Sequence, residues 1–167
     1  MPNTYTLIAS VTVGSGGAAS IDFTSIPSTY TDLSLRISAR QDSATVAYSN
    51  LRFNASTTGY SYRSLQGDGS GASSASGSTA TYGVTNLSTW TANTFNSIDL
   101  YIPNYAGSNY KSWSSNSVTE ANISTVYSDF VAGLWSNTAA INQVTLYPNG
   151  GNFVQYSTAY LYGIKNS

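Results

Sequence analysis

The sequence predicts an all-β chain, an antiparallel β-sandwich, most simply of jelly-roll type. Two observations carry that expectation. Apolar residues recur with a period of two through most of the chain, while helical spacing is almost absent. Clusters of Gly, Pro, Asn and Ser punctuate the alternating runs at short intervals. Roughly eight to ten short strands with turns at this spacing are the signature of a sandwich. The length of 167 residues suits one domain and is enough to bury a sizeable core.

The elements follow in chain order. Tyr5, Leu7, Ala9, Val11 and Val13 alternate with Thr6, Ile8, Ser10 and Thr12, which predicts an N-terminal strand with one dry face. Ile21 and Phe23 flank Asp22. The clearest strand covers 32–40, with Leu33, Leu35, Ile37 and Ala39 on one face and Ser34, Arg36, Ser38 and Arg40 on the other. Leu51 and Phe53 sit around Arg52, and Tyr60 and Tyr62 around Ser61. Ile98, Leu100 and Ile102 alternate with Asp99 and Tyr101. Val144 and Leu146 alternate with Thr145 and Tyr147. The last run sets Tyr160, Tyr162 and Ile164 against Leu161. Turn signals lie at 14–17, Ile26-Pro27-Ser28, 54–59, Pro103-Asn104 and 148–151. The stretch 120–135 is open to a helical reading, but its β-branched residues and Gly133 fit a strand or irregular segment at least as well. The tract 66–80, QGDGSGASSASGSTA, has linker composition. A boundary there would leave two small halves. The expectation is one domain over 1–167, with 1–18 as an arm or edge strand and 66–80 as a long Gly/Ser-rich surface loop.

Composition narrows function. The chain has no His and no Cys, 14 Tyr, and 8% charged residues. Most enzyme chemistry draws on imidazole, thiol or paired carboxylates, and two of these are missing. Without cysteine there are no disulfides or thiolate metal sites, and the chain tolerates either redox compartment. A net charge of −1 with scattered basic residues argues against nucleic-acid binding by phosphate neutralisation. No apolar run approaches a membrane span, so no membrane insertion is expected. The first residues lack the basic and apolar regions of a secretory leader. Weak charge also leaves little repulsion against self-association.

Chemically competent clusters are scarce. The acids are Asp22, Asp32, Asp42, Asp68, Asp99, Glu120 and Asp129. A glycosidase would need two of them facing across a cleft, whereas Asp22, Asp32 and Asp99 read as solvated strand or turn residues. Serine is abundant, but no histidine base and no G-x-S-x-G elbow accompany it. The tract 66–71 lacks the repeated acids of a calcium loop and the lysine of a phosphate loop. No catalytic residue, metal site or cofactor is therefore assigned. The aromatics carry more weight. Trp90, Tyr105, Tyr110 and Trp113 lie in turn-rich segments among Asn and Ser, a chemistry suited to protein contact or sugar stacking. The competing expectation is that the tryptophans pack inside.

Several segments carry a resemblance. They are SIPSTYTDL at 25–33, NLRFN at 50–54, YSYRSL at 60–65, LYIPNYAG at 100–107, AGLWSNTAAIN at 132–142 and GNFVQYSTAYLYGIK at 151–165. Together they resemble virion structural proteins of tailed bacteriophages, particularly phages of marine bacteria and cyanobacteria. The likeness runs from about residue 20 onward and is most specific in the C-terminal third. It implies a β-protein of the particle surface, either a capsid decoration or knob protein or the tip module of a fibre, with no catalytic motif to carry over. With Met1 at the start and no shaft before it, the stand-alone decoration protein is the expectation.

The expected function is then a virion protein on the capsid surface that binds the major capsid protein and decorates or cements the head. Segment 1–13 is the expected contact, with Tyr5, Leu7 and Val11 extending as a strand onto a partner sheet. A homotrimer about a local three-fold axis fits a symmetric shell. The alternative is a receptor module that stacks host-surface glycans on Trp90, Tyr110 and Trp113. A polysaccharide depolymerase ranks third.

Overall fold

The structure, a computed structural model, describes residues 4–45, 48–124 and 126–165. These form strands, turns and loops, with no helix among the described residues. In chain order the strands are β1 (Tyr5–Thr12), β2 (Ile21–Phe23), β3 (Asp32–Ser38), β4 (Tyr48–Phe53), β5 (Tyr60–Gly67) and β6 (Ala72–Gly77). Then follow β7 (Thr81–Val84), β8 (Ser97–Ile102), β9 (Lys111–Thr119), β10 (Tyr127–Trp135), β11 (Val144–Pro148) and β12 (Thr158–Ile164). They build an antiparallel sandwich of an eight-stranded sheet, β1-β12-β3-β8-β9-β10-β5-β6, and a four-stranded sheet, β2-β11-β4-β7.

Setting aside β5, β6, β9 and β10 exposes the underlying topology. The remaining eight strands pair first with last and inward: β1 with β12, β2 with β11, β3 with β8, and β4 with β7, all antiparallel. Alternate pairs fall in alternate sheets. That is one long hairpin wrapped on itself, the jelly-roll path. Two insertions complete the molecule. The hairpin β5–β6 interrupts the connection from β4 to β7, and β9–β10 interrupts that from β8 to β11. Both add to the same edge of one sheet and double its width.

The core lies where the expected alternation placed it. Leu33, Leu35 and Ile37 of β3 and Ile98, Leu100 and Ile102 of β8 are buried against Ile21, Phe23, Leu51, Phe53, Val144 and Leu146 of the smaller sheet. One end is filled by rings: Phe53 meets Trp113 edge-on at 5.8 Å, and Tyr60 stacks on Trp135 at 6.1 Å. A second, smaller cluster of Val84, Leu87, Trp90 and Ala121 lies apart from it.

Two expectations need correction. The N-terminal strand changes phase, because a register shift between Leu7 and Ala9 lets both Ile8 and Ala9 pack inward. Tyr5 and Leu7 therefore point away from the core, while Val11 packs against it. Residues 1–3 of the expected arm lie outside the described residues. The tract 66–80 is not a loop. It holds the end of β5, a tight turn and all of β6. The Asp68 carboxylate accepts from the Ser70 and Gly71 amides at 2.9 and 2.8 Å, and Gly69 takes φ +85°, the conformation a two-residue hairpin turn requires. Within the segment 120–135, the strand β10 covers 127–135 and the described residues 120–124 and 126 are irregular.

Candidate functional site

The four aromatic candidates do not assemble into a platform. Trp113 is buried, donating its indole N–H to the Thr81 carbonyl at 3.2 Å. Tyr105 is fully buried, and its hydroxyl donates to the Pro27 carbonyl. Trp90 is buried beside Tyr127, ring centroids 6.2 Å apart. These three rings offer no open face to a sugar. Tyr110 alone of the four is exposed. Size explains the result: a large ring gains most by leaving water completely.

Of the three shell-contact candidates, Tyr5 and Leu7 are exposed and Val11 is partly buried. Their strand, β1, is one outer edge of the large sheet. Tyr5 lies edge-on to Tyr162 at 6.3 Å, and Leu7 stands opposite Tyr162. Both belong to the face of the large sheet that points away from the smaller one.

That face is the feature sequence reasoning missed. Cross-strand register carries one row through all eight strands: Ser10, Tyr160, Arg36, Asp99, Asn116, Phe130, Leu65 and Ser74. A neighbouring row runs Leu7, Tyr162, Ser34, Tyr101, Ser114, Ala132, Arg63 and Ser76. Phe130 and Leu65 face each other across β10 and β5, and each is 59% exposed. Val118 and Leu134 are also exposed on this side, as are Tyr101 and Tyr160. Charge is nearly absent, since Arg36 and Asp99 in the same row form an ion pair. The Tyr101 hydroxyl donates to the Asp32 carboxylate at 2.8 Å, and desolvation together with that carboxylate pushes the phenol up to about 12. The result is a wide sheet face of serine, tyrosine and exposed apolar side chains.

A signal for it exists in the sequence. In β10, YSDFVAGLW, apolar residues occupy both faces: Val131 and Trp135 turn inward while Phe130 and Leu134 turn outward. Such a strand expects cover on both sides, and this chain covers only one.

The polar groups serve the fold. The Asp42 carboxylate accepts from the Asn152 amide at 2.7 Å, Asp22 from the Ser20 and Thr145 hydroxyls, and Glu120 from the Asn122 amide. Asp129 is buried and accepts from the Gln66 side-chain amide at 2.6 Å, and desolvation holds its pKa above the usual carboxylate value. Among the described residues no group of three or more His, Cys, Asp or Glu side chains is placed to hold a metal. Five surface recesses hold about 100 to 340 Å³, at or below the bottom of the roughly 300–1,000 Å³ of ordinary ligand sites, and the smallest of them is lined by Leu51, Arg52, Ser56, Tyr60, Ala80 and Tyr147. Arg52 lies over the Tyr147 ring there, 4.4 Å from its centroid. The functional element this geometry supports is a surface. No family model and no curated protein matches the chain.

Proposed function

We propose that the chain is a structural protein of a tailed-phage particle that binds the outside of the head shell and decorates or cements it. The observation that carries this reading is the neutral outer face of the eight-stranded sheet, with Leu65 and Phe130 each 59% exposed. Contiguous exposed apolar surface rimmed by polar residues is a mark of protein–protein contact. Uncharged serines and tyrosines around it make short-range contacts that need no counter-charge on the partner. Tyr5 and Leu7 share that face, which brings the N-terminal strand into the same contact. The resemblance to virion proteins supplies the partner, the major capsid protein. Glycan reception has less support, because two of its three stacking candidates, Trp90 and Trp113, are buried.

The test is reconstitution. Purified protein mixed with undecorated heads should co-sediment at high copy, and a Leu65→Asp/Phe130→Asp double variant with an unchanged melt should lose at least tenfold in affinity. Undiminished binding by the double variant would remove this face as the contact. Recovery of the native protein with tails, and not with tail-less heads, would overturn the decoration role.

A further inference from the structure

We propose that β6 is a self-pairing edge, through which two copies of this chain join into a two-fold dimer with one continuous sixteen-stranded sheet. The inference is independent of the proposed function, and it puts a two-fold dimer in place of the expected homotrimer.

The argument begins with what β6 lacks. Its sequence is ASSASG, and five of its six residues are exposed, with Gly77 the exception. It buries no large apolar side chain, and its residues are poor strand formers. Ordering a residue costs backbone entropy, so a lone outer strand with nothing to bury is marginal. Neither does it carry the devices that blunt a free edge. It has no lysine, no proline, no inward charge, and its register with β5 is unbroken from Tyr62–Gly77 to Gly67–Ala72. The opposite edge, β1, is interrupted by its register shift.

The hairpin fixes which groups are free. The Asp68 amide donates to the Gly71 carbonyl at 3.2 Å, so 68 and 71 are a hydrogen-bonded pair. In an antiparallel ladder bonded and non-bonded pairs alternate. Ser73, Ala75 and Gly77 therefore spend their amides and carbonyls on β5. Ala72, Ser74 and Ser76 direct theirs off the sheet edge, and their side chains lie on the outer face with Leu65 and Arg63.

These constraints select a second copy as occupant. A two-fold axis normal to the sheet at Ser74 sets Ser74 opposite Ser74 of the second copy. It sets Ala72 opposite the second copy's Ser76, and Ser73 opposite its Ala75. Every free amide and carbonyl of the three edge residues then faces a free mate. All side chains across the junction are small and uncharged, so no pair clashes or repels, and the outer faces stay on one side. A chain of net charge −1 adds little long-range repulsion. The dimer would set the two Leu65–Phe130 strips on one surface, their Leu65 positions roughly 14 Å apart at ordinary strand spacing.

The chain has no cysteine, which makes the test clean. A bonded antiparallel pair holds Cα atoms about 5.5 Å apart, within disulfide reach. Ser74→Cys should therefore oxidise to a covalent dimer at low micromolar concentration, while Ser73→Cys, off the axis, should do so at least tenfold more slowly. Light scattering of the unmodified protein should give about twice the 17.6 kDa chain mass. Ser74→Pro removes an amide that β5 does not use, so it should keep the native circular dichroism, return the protein to monomer and make the melt independent of protein concentration. A monomer or trimer by light scattering at tens of micromolar, or equal cross-linking at 73 and 74, would overturn the proposal. So would a Ser74→Pro variant that stays dimeric.

Discussion

Arg40 and Lys111 show what this chain does with its few charges. Both are buried, and both turn to backbone carbonyls. The Arg40 guanidinium donates to the carbonyls of Thr91, Thr94, Ser88 and Trp90 at 2.8, 3.1, 3.2 and 2.9 Å, gathering the segment before β8 around one fork. The Lys111 ammonium donates to Gly107 at 2.6 Å, to Asn109, and to Thr138 at 3.4 Å, tying two turns together. Desolvation lowers the pKa of each. A fork cannot be replaced by a point charge. Arg40→Lys should cost about 1.5–3 kcal/mol, the worth of a hydrogen bond to a charged group, read as a lower urea midpoint with faster amide exchange in that segment. Asp129 makes a different prediction. Burial raises its folded pKa above the ordinary 3.8. As pH climbs from 3.8 toward that raised value, the unfolded chain ionises while the folded one keeps its proton. The folded state then holds more protons, and stability falls with rising pH. Asp129→Asn removes this term. The variant's stability relative to the native protein should rise between pH 4 and 7, measured by urea unfolding at each pH, and a constant difference would contradict the sign. No histidine or cysteine adds a competing titration near neutrality.

At the scale of elements, Gly133 and Trp113 show how β9 and β10 fit. They are directly opposite in register, and a Cβ on Gly133 would lie 2.0 Å from the indole. The tryptophan lies flat over the glycine and reaches Phe53 and Tyr60 beyond it. Gly133→Ala should displace that ring and cost about 1–3 kcal/mol or more as overpacking, seen as a lower melting temperature and a changed tryptophan emission. Other strands show where the sequence could be read and where it could not. Leu33, Leu35 and Ile37 announce β3 because each faces one dry core and alternates with polar residues. β6 is silent, since Ala, Ser and Gly carry no hydrophobic period and its partner is set by a turn four residues long. β1 misleads, because an extra inward residue reverses its phase without changing the alternation of letters. The aromatic candidates were legible as residues but not as a site. Proximity to Asn and Ser in sequence does not distinguish Trp113, which lies in the core, from Tyr110, three residues earlier and exposed.

At the scale of the molecule, the wrapped hairpin and its extension divide the labour. The wrap, β1 to β4 with β7, β8, β11 and β12, encloses the core between two sheets. The extension, β9-β10-β5-β6, widens one sheet, adds Tyr60, Trp113 and Trp135 to one end of that core, and carries most of the exposed apolar side chains of the outer face. A strand such as β10 can hold Phe130 and Leu134 outward because Val131 and Trp135 already anchor it inward. Core packing and the proposed contact thereby fall on opposite faces of the same strands, so the outer face can be altered without unfolding the sandwich. Charge is nearly absent from that face, apart from Arg63, the paired Arg36 and Asp99, and the buried Asp32 carboxylate that accepts from Tyr101. Binding through it should therefore depend little on ionic strength, since screening acts on exposed charges over about 8–10 Å and few are present to screen. Affinity for undecorated heads should change by less than about threefold between roughly 50 and 200 mM salt, where a partner held by many ionic contacts loses roughly 10³-fold or more. The measurement is a binding isotherm at each salt concentration with the native protein and with Arg63→Ala. A steep slope that Arg63→Ala flattens would move the contact onto charge and away from Leu65 and Phe130. A flat slope in both, with affinity lost on Phe130→Asp, would place the binding energy in the apolar strip.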